Sequence, residues 1–147
     1  KTKDYPVIII SQRWFLHTAK PEFLERFNTM LEDLVKAGKK VYVLADTPMD
    51  GQLPLRRYYL RQKLSIDIHY VSEDKKAEIR DSAKSEDEVE KIVKQHRGVQ
   101  WVDFMQYIPA DKLIDGLPVY FDTNHLNPFG SSKIAEMFIN DKRTLLK

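Results

Sequence analysis

Asp122 and His125 stand three residues apart in the stretch Tyr120-Phe-Asp-Thr-Asn-His-Leu-Asn-Pro-Phe-Gly130, near the end of a chain of 147 residues. An imidazole can take a proton from a hydroxyl nucleophile when one ring nitrogen faces that hydroxyl. A carboxylate on the other nitrogen fixes the tautomer and stabilises the imidazolium. An Asp-x-x-His spacing on one tight loop meets this requirement without long-range assembly, with His125 as base and Asp122 as its orienter. The same spacing also suits a structural role, in which Asp122 is a turn residue and His125 bonds a backbone carbonyl where a helix begins. Acyl chemistry would further need a nucleophile. The serines stand at 11, 65, 72, 82, 85, 131 and 132, and none lies in a Gly-x-Ser-x-Gly elbow. Ser131 and Ser132 read as caps of the last helix.

Other chemistries find less support. The chain has no cysteine, which excludes disulfides, thiol nucleophiles and cysteine-based zinc sites. His17, His69 and His96 are scattered and form no His-x-x-x-His pair, so no metal is expected. With five glycines and no glycine-rich phosphate loop, no nucleotide or other cofactor is expected either. The segment Leu55-Arg-Arg-Tyr-Tyr-Leu-Arg-Gln-Lys63 mixes cations with tyrosines, a combination that can stack bases and meet phosphates. It equally describes an amphipathic helix with a solvated basic face. The net charge of +2, from 24 basic and 22 acidic side chains, favours the latter and no nucleic-acid partner. Anionic polysaccharide or lipid head groups are further partners for such a face. Glu86-Asp-Glu-Val-Glu90 reads as a solvated helix start favoured by the helix dipole.

The elements that must position the Asp–His pair follow from hydrophobic periodicity. Val7-Ile-Ile-Ile10, Lys39–Ala45 and Val99–Asp103 are β-branched, apolar runs of the kind that form parallel strands covered on both faces. Ser11–His17 reads as a loop. From Pro21 a helical stripe at 23, 24, 27, 30, 31, 34 and 35 runs to Gly38, a C-terminal cap. Leu55–Leu64 reads as helix, and Ile66–Val71 as a short strand or extended loop. A charged helical region covers 73–96, with a possible restart at a capping box, Ser85-Glu-Asp-Glu88, and a stop at Gly98. Leu117–Phe121 is a strand-like apolar run, and a terminal helix carries Ile134–Ile139.

Alternating strands and helices with short connections predict a three-layer α/β/α sandwich around a parallel sheet, as one domain over 1–147. In such sheets the site lies beyond the carboxyl ends of the strands, where Ser11–Arg13, Asp46–Thr47 and Phe104 fall. At 42% hydrophobic and 31% charged residues the composition is that of a globular chain, and no apolar run reaches the roughly 20 residues of a membrane span. The chain opens Lys-Thr-Lys-Asp without an initiator Met and enters a strand almost at once, as a processed or excised piece of a longer protein would.

The block from Leu117 through Asp122-x-x-His125-Leu-Asn to Gly130 resembles the last sequence block of the SGNH hydrolase family. It is most similar to the SGNH domains attached to membrane-bound acyltransferases that O-acetylate bacterial surface polysaccharides, where the block commonly reads Tyr-x-Asp-x-x-His-Leu. Val7-Ile-Ile-Ile-Ser-Gln-Arg-Trp14 resembles that subgroup's strand ending in Arg-Trp. The resemblance implies an α/β/α, flavodoxin-like fold and acyl-ester chemistry by a serine, histidine and aspartate, the last two at His125 and Asp122. It supplies no serine, because the family's Gly-Asp-Ser motif after its first strand is absent. The chain is therefore expected to be the C-terminal portion of an SGNH domain, lacking its N-terminal strands and its nucleophile and close to inactive alone.

Further expectations follow from the same resemblance. Gln12 or Arg13 would donate to a developing oxyanion or acyl oxygen, unless Arg13 only pairs at the surface and Trp14 only packs the loop. A membrane acyltransferase domain in the parent chain would deliver the acyl group to a carbohydrate on the extracytoplasmic, periplasmic side of a bacterial inner membrane. If the first strands are missing, Val7–Ile10 becomes an edge that a second copy or an N-terminal fragment would cover, and a solvated edge would tell against that strand. The alternatives are a non-catalytic α/β module that binds a partner or carbohydrate, and a fragment of a free-standing SGNH esterase.

Overall fold

Val41 and Val43 point to one face of strand β2 (Lys40–Leu44) and Tyr42 to the other, and all three are buried. A strand apolar on both faces belongs at the centre of a covered sheet. The computed structural model, which describes residues 5–49, 54–66 and 71–141, places it there. Strand β1 (Val7–Ile10) and strand β3 (Val99–Val102) pair with β2 on either side, both parallel, in the order β1-β2-β3. The register aligns Ile8, Val41 and Val99 in one row and Ile10, Val43 and Trp101 in another. These six residues share a face.

The chain divides into two compact units. The first, up to Asp46 together with Asp81–Asp103, holds the parallel sheet. Its core packs that sheet face against Phe27 and Leu31 of helix α2 (Phe23–Lys36) and Val89 and Val93 of helix α4 (Glu73–Gln95). Trp14 completes it from helix α1 (Trp14–Thr18). Helix α2 stops at a left-handed Gly38 (φ +70°), where Lys39 N–H donates to Leu34 O and Gly38 N–H to Val35 O, so the chain reverses directly into β2.

The second unit, Thr47–Arg80 with Phe104 onward, contains helix α3 (Pro54–Leu64), the N-terminal part of α4 and a 3-10 turn at Met105–Tyr107. A hairpin of β4 (Leu113–Ile114) and β5 (Leu117–Pro118) and helix α5 (Pro128–Asn140) complete it. Its core gathers Ile114, Val119, Tyr120 and Ile134, with Phe104, Leu126 and Phe129 packed on it. The chain is thus a mixed α/β protein with a parallel three-stranded sheet and helices, the fold class its alternation predicts.

Several local expectations need correction. Ser11–His17 is not all loop, since α1 starts at Trp14, whose indole is fully buried against Phe27. The helix through 73–95 is continuous, and Ser85 does not restart it. Its hydroxyl donates to Asp81 O in the preceding turn (2.7 Å) and accepts from Thr18 Oγ1 (2.7 Å), so this buried serine ties α4 to α1. Glu86 consequently lies mid-helix instead of at a solvated start. The strand-like run Leu117–Phe121 is strand only at Leu117–Pro118, with Tyr120 in an isolated bridge. Asp115 (φ 52°) and Gly116 (φ 74°) form the tight turn of the β4–β5 hairpin, so that run only begins as strand. Most of the 66–71 stretch, with His69, lies outside the described residues.

Among the described residues strand β1 pairs with β2 alone, and Ile9 is 53% exposed. Its apolar face is secured from within the unit, where Ile8 and Ile10 pack on the core.

Candidate functional site

The loop that carries Asp122 and His125 is closed at its base by backbone. Tyr120 and Leu126 form an antiparallel bridge, flanked by Phe121 N–H donating to His125 O (2.8 Å) and Asn127 N–H donating to Val119 O (2.9 Å). Tyr120 is fully buried and its hydroxyl donates to Pro48 O (2.8 Å), which pins the strand just before the loop. On the other side, Asn127 caps α5: its side-chain oxygen accepts from Gly130 N–H (2.7 Å), and Pro128 supplies the first helical residue. The Asn127 amide also donates to Pro118 O (2.7 Å), joining both arms. Ser131 and Ser132 lie inside α5 and are not its caps. The preceding Asn-Pro pair was the local signal for the cap.

Gly130 is required by a close approach. A Cβ there would lie 2.2 Å from Val119 O and 2.7 Å from Val119 Cβ. The first turn of α5 therefore sits directly on the backbone that precedes the loop.

Within this frame one carboxylate organises the whole turn. Asp122 Oδ1 accepts from the backbone N–H of Asn124 (2.9 Å) and of His125 (2.8 Å). The His125 ring meets the same carboxylate, with Nδ1 2.8 Å from Oδ2 and 3.0 Å from Oδ1. An ionised carboxylate can only accept, so Nδ1 is the protonated nitrogen and the neutral ring presents its lone pair at Nε2. The Asn124 amide and then the His125 ring hold the Asp122 carboxyl at about 2, below its ordinary 3.8. It is therefore ionised at neutral pH. The His125 side chain is 69% exposed and that of Asp122 34%, so the ring lies at the surface of the loop. Among the described residues the near neighbour of Nε2 is the Asn124 amide nitrogen, at 3.5 Å.

Sequence reading thus paired the two residues that the structure brings together. Asp122 is both a turn residue, as the structural alternative has it, and the partner of the ring. Gln12 and Arg13 belong to the other unit, at the carboxyl end of β1. Gln12 is exposed, and Arg13 is half-buried at the N-terminus of α1. Trp14, next to them, is structural: its indole N–H donates to Leu44 O at the end of β2 (3.0 Å).

Ser72 accepts from Lys75 N–H as α4 begins, and Ser85 bridges α4 and α1. Among the described residues no group of three or more His, Asp or Glu side chains is placed to hold a metal ion.

A feature the sequence did not disclose is the setting of Glu86. It faces Asp46 and Asp103, which follow β2 and β3. Burial, then the two neighbouring carboxylates, push its carboxyl from 4.5 up to about 7, although the Asp46 backbone N–H donates to it. Only the register of the two strand ends against α4 brings these acids together.

No curated protein matches this chain. Among solved structures, a candidate platelet activating factor from Streptococcus pneumonia superposes with a TM-score of 0.56 at 13% identity, over 92% of this chain and 58% of that one. At that identity the likeness is one of fold, and the chain spans little more than half of that protein's length. A family model described as the SGNH domain fused to AT3 domains matches residues 1–140. The two segments that resemble the family, Val7–Trp14 and Leu117–Gly130, both fall within that match. The chain belongs to the family of SGNH domains found fused to AT3 acyltransferase domains.

Proposed function

We propose that this chain supplies the general base of an acyl-transfer site, with His125 as the base and Asp122 as its orienting carboxylate. The observation that carries this reading is the pairing of Asp122 with Nδ1 in a ring whose side chain is 69% exposed. In the proposed reaction a serine hydroxyl attacks the acyl carbonyl carbon and passes its proton to Nε2. The tetrahedral intermediate collapses, the proton goes to the departing oxygen, and an acyl-serine forms. A carbohydrate hydroxyl or water then attacks, giving its proton to Nε2, and the serine leaves with that proton. Asp122 stays ionised throughout and stabilises the imidazolium.

The serine is proposed to lie outside these 147 residues, in a domain of which this chain is one part. Gln12 and Arg13 are assigned as donors to an acyl oxygen, on the strength of their place at the carboxyl end of β1. Fusion of this family to AT3 domains supports a membrane acyltransferase partner in the same parent chain. A surface polysaccharide on the periplasmic side is the proposed acceptor.

Acyl transfer or ester turnover by the full-length protein tests the reading. His125→Ala is expected to lower kcat by about 10³-fold or more, and Asp122→Ala by about 10²-fold or more. Unchanged turnover in a folded His125→Ala protein would hand the loop to the structural role and favour a binding module.

A further inference from the structure

We propose that the exposed face of α3, with the turn that ends it, docks on an anionic lipid surface. Helix α3 carries Arg56, Arg57, Arg61 and Lys63 and no acidic residue, in a chain whose net charge is only +2. The rest of the chain is on balance acidic, so positive charge is segregated onto this helix. Arg56, Tyr59 and Lys63 recur at helical spacing and are all exposed; Arg61, farther round the helix, is exposed as well.

The apolar content of this face decides between partners. Tyr59 is 58% exposed. The helix ends at Ser65 in the left-handed region (φ 54°), with Ile66 N–H donating to Leu60 O and Ser65 N–H to Arg61 O. Such a stop commonly buries the residue after the turn against the helix. Here Ile66 is 48% exposed and Leu64 61% exposed, beside Lys63. A soluble polyanion would use the cations and ignore these side chains. A bilayer of anionic lipid uses both, drawing Lys and Arg to its head groups and taking Tyr, Leu and Ile at the boundary of its acyl region. This inference is independent of the chemistry of His125.

Co-sedimentation of the chain with vesicles of phosphatidylcholine, alone or with about one third phosphatidylglycerol, tests it. Circular dichroism would verify folding first. The expected result is binding to the anionic vesicles only, weakening as salt rises. The triple variant Arg56→Gln, Arg61→Gln, Lys63→Gln, confined to exposed positions, should weaken it about tenfold or more. Tyr59→Ala with Leu64→Ala should weaken vesicle binding several-fold and leave binding to dextran sulfate unchanged. Failure to bind the anionic vesicles, or equal binding to neutral ones, would overturn the proposal. So would vesicle binding indifferent to Tyr59 and Leu64, which would assign the face to free polyanions.

Discussion

The Asp122 carboxylate holds both the backbone and the ring of His125, at 2.8 Å to the amide nitrogen and 2.8 Å to Nδ1. A single side chain therefore sets where the histidine sits and which of its nitrogens carries the proton. A three-residue spacing makes this possible because the turn that brings the ring to the carboxylate is nucleated by that same carboxylate. The turn is held in place by buried Tyr120 before it and by the Asn127 cap after it.

Acid should weaken the hold of Asp122 on this loop. The Asp122 carboxyl titrates at about 2 in the folded protein against an ordinary 3.8. Its contribution to stability is complete above the higher value and is lost as pH falls through the lower one. Between about pH 5 and pH 2 the wild type should lose more stability than Asp122→Asn, which keeps an acceptor for the turn but does not titrate. Urea unfolding followed across that range measures the difference. Parallel curves for the two proteins would contradict it.

Glu86 should act in the opposite sense. With its carboxyl raised to about 7, the folded chain binds a proton that the unfolded chain, at 4.5, has released. Stability from this group is fully present below about pH 4.5 and declines as pH rises through 7. Glu86→Gln should therefore stabilise the protein at pH 8, by on the order of 1 kcal/mol once solvent screening at a partly exposed position is allowed for. The gain should vanish near pH 5, and a gain constant with pH would mean that burial and the neighbouring Asp46 and Asp103 do not raise the Glu86 carboxyl.

The close contact beneath the loop predicts a severe effect from a small change. Gly130→Ala forces a methyl into Val119 O and should cost about 2–3 kcal/mol, read from thermal or urea unfolding. Asn127→Ala removes the helix cap and the bond to Pro118 O and should cost about 1–2 kcal/mol. A Gly130→Ala protein as stable as wild type would show that α5 does not rest on Val119.

What the sequence disclosed was what neighbouring residues decide together. Val7–Ile10, Lys40–Leu44 and Val99–Val102 are strands because their β-branched and aromatic side chains suit covered sheet positions. The stripe on α2 and the Asp122–His125 spacing were equally local. Ser85 misled because its sequence context imitates a cap, while its hydroxyl is engaged by Thr18, which is 67 residues away. Trp14 read as a loop residue because its partner, Leu44 O, exists only once β2 has formed. The Asp115-Gly116 turn and the Asn127-Pro128 cap were local signals, overshadowed by the apolar run and the serines beside them. The Glu86 environment had no local signal at all.

The orientation of the His125 ring can be read directly from its nitrogen–proton correlation spectra at a pH where the ring is neutral. The pairing with Asp122 predicts a proton on Nδ1 and a lone pair on Nε2, and loss of that preference in Asp122→Ala. A proton on Nε2 in the wild type, or the same tautomer with and without Asp122, would contradict the assignment of His125 as a base oriented by that carboxylate.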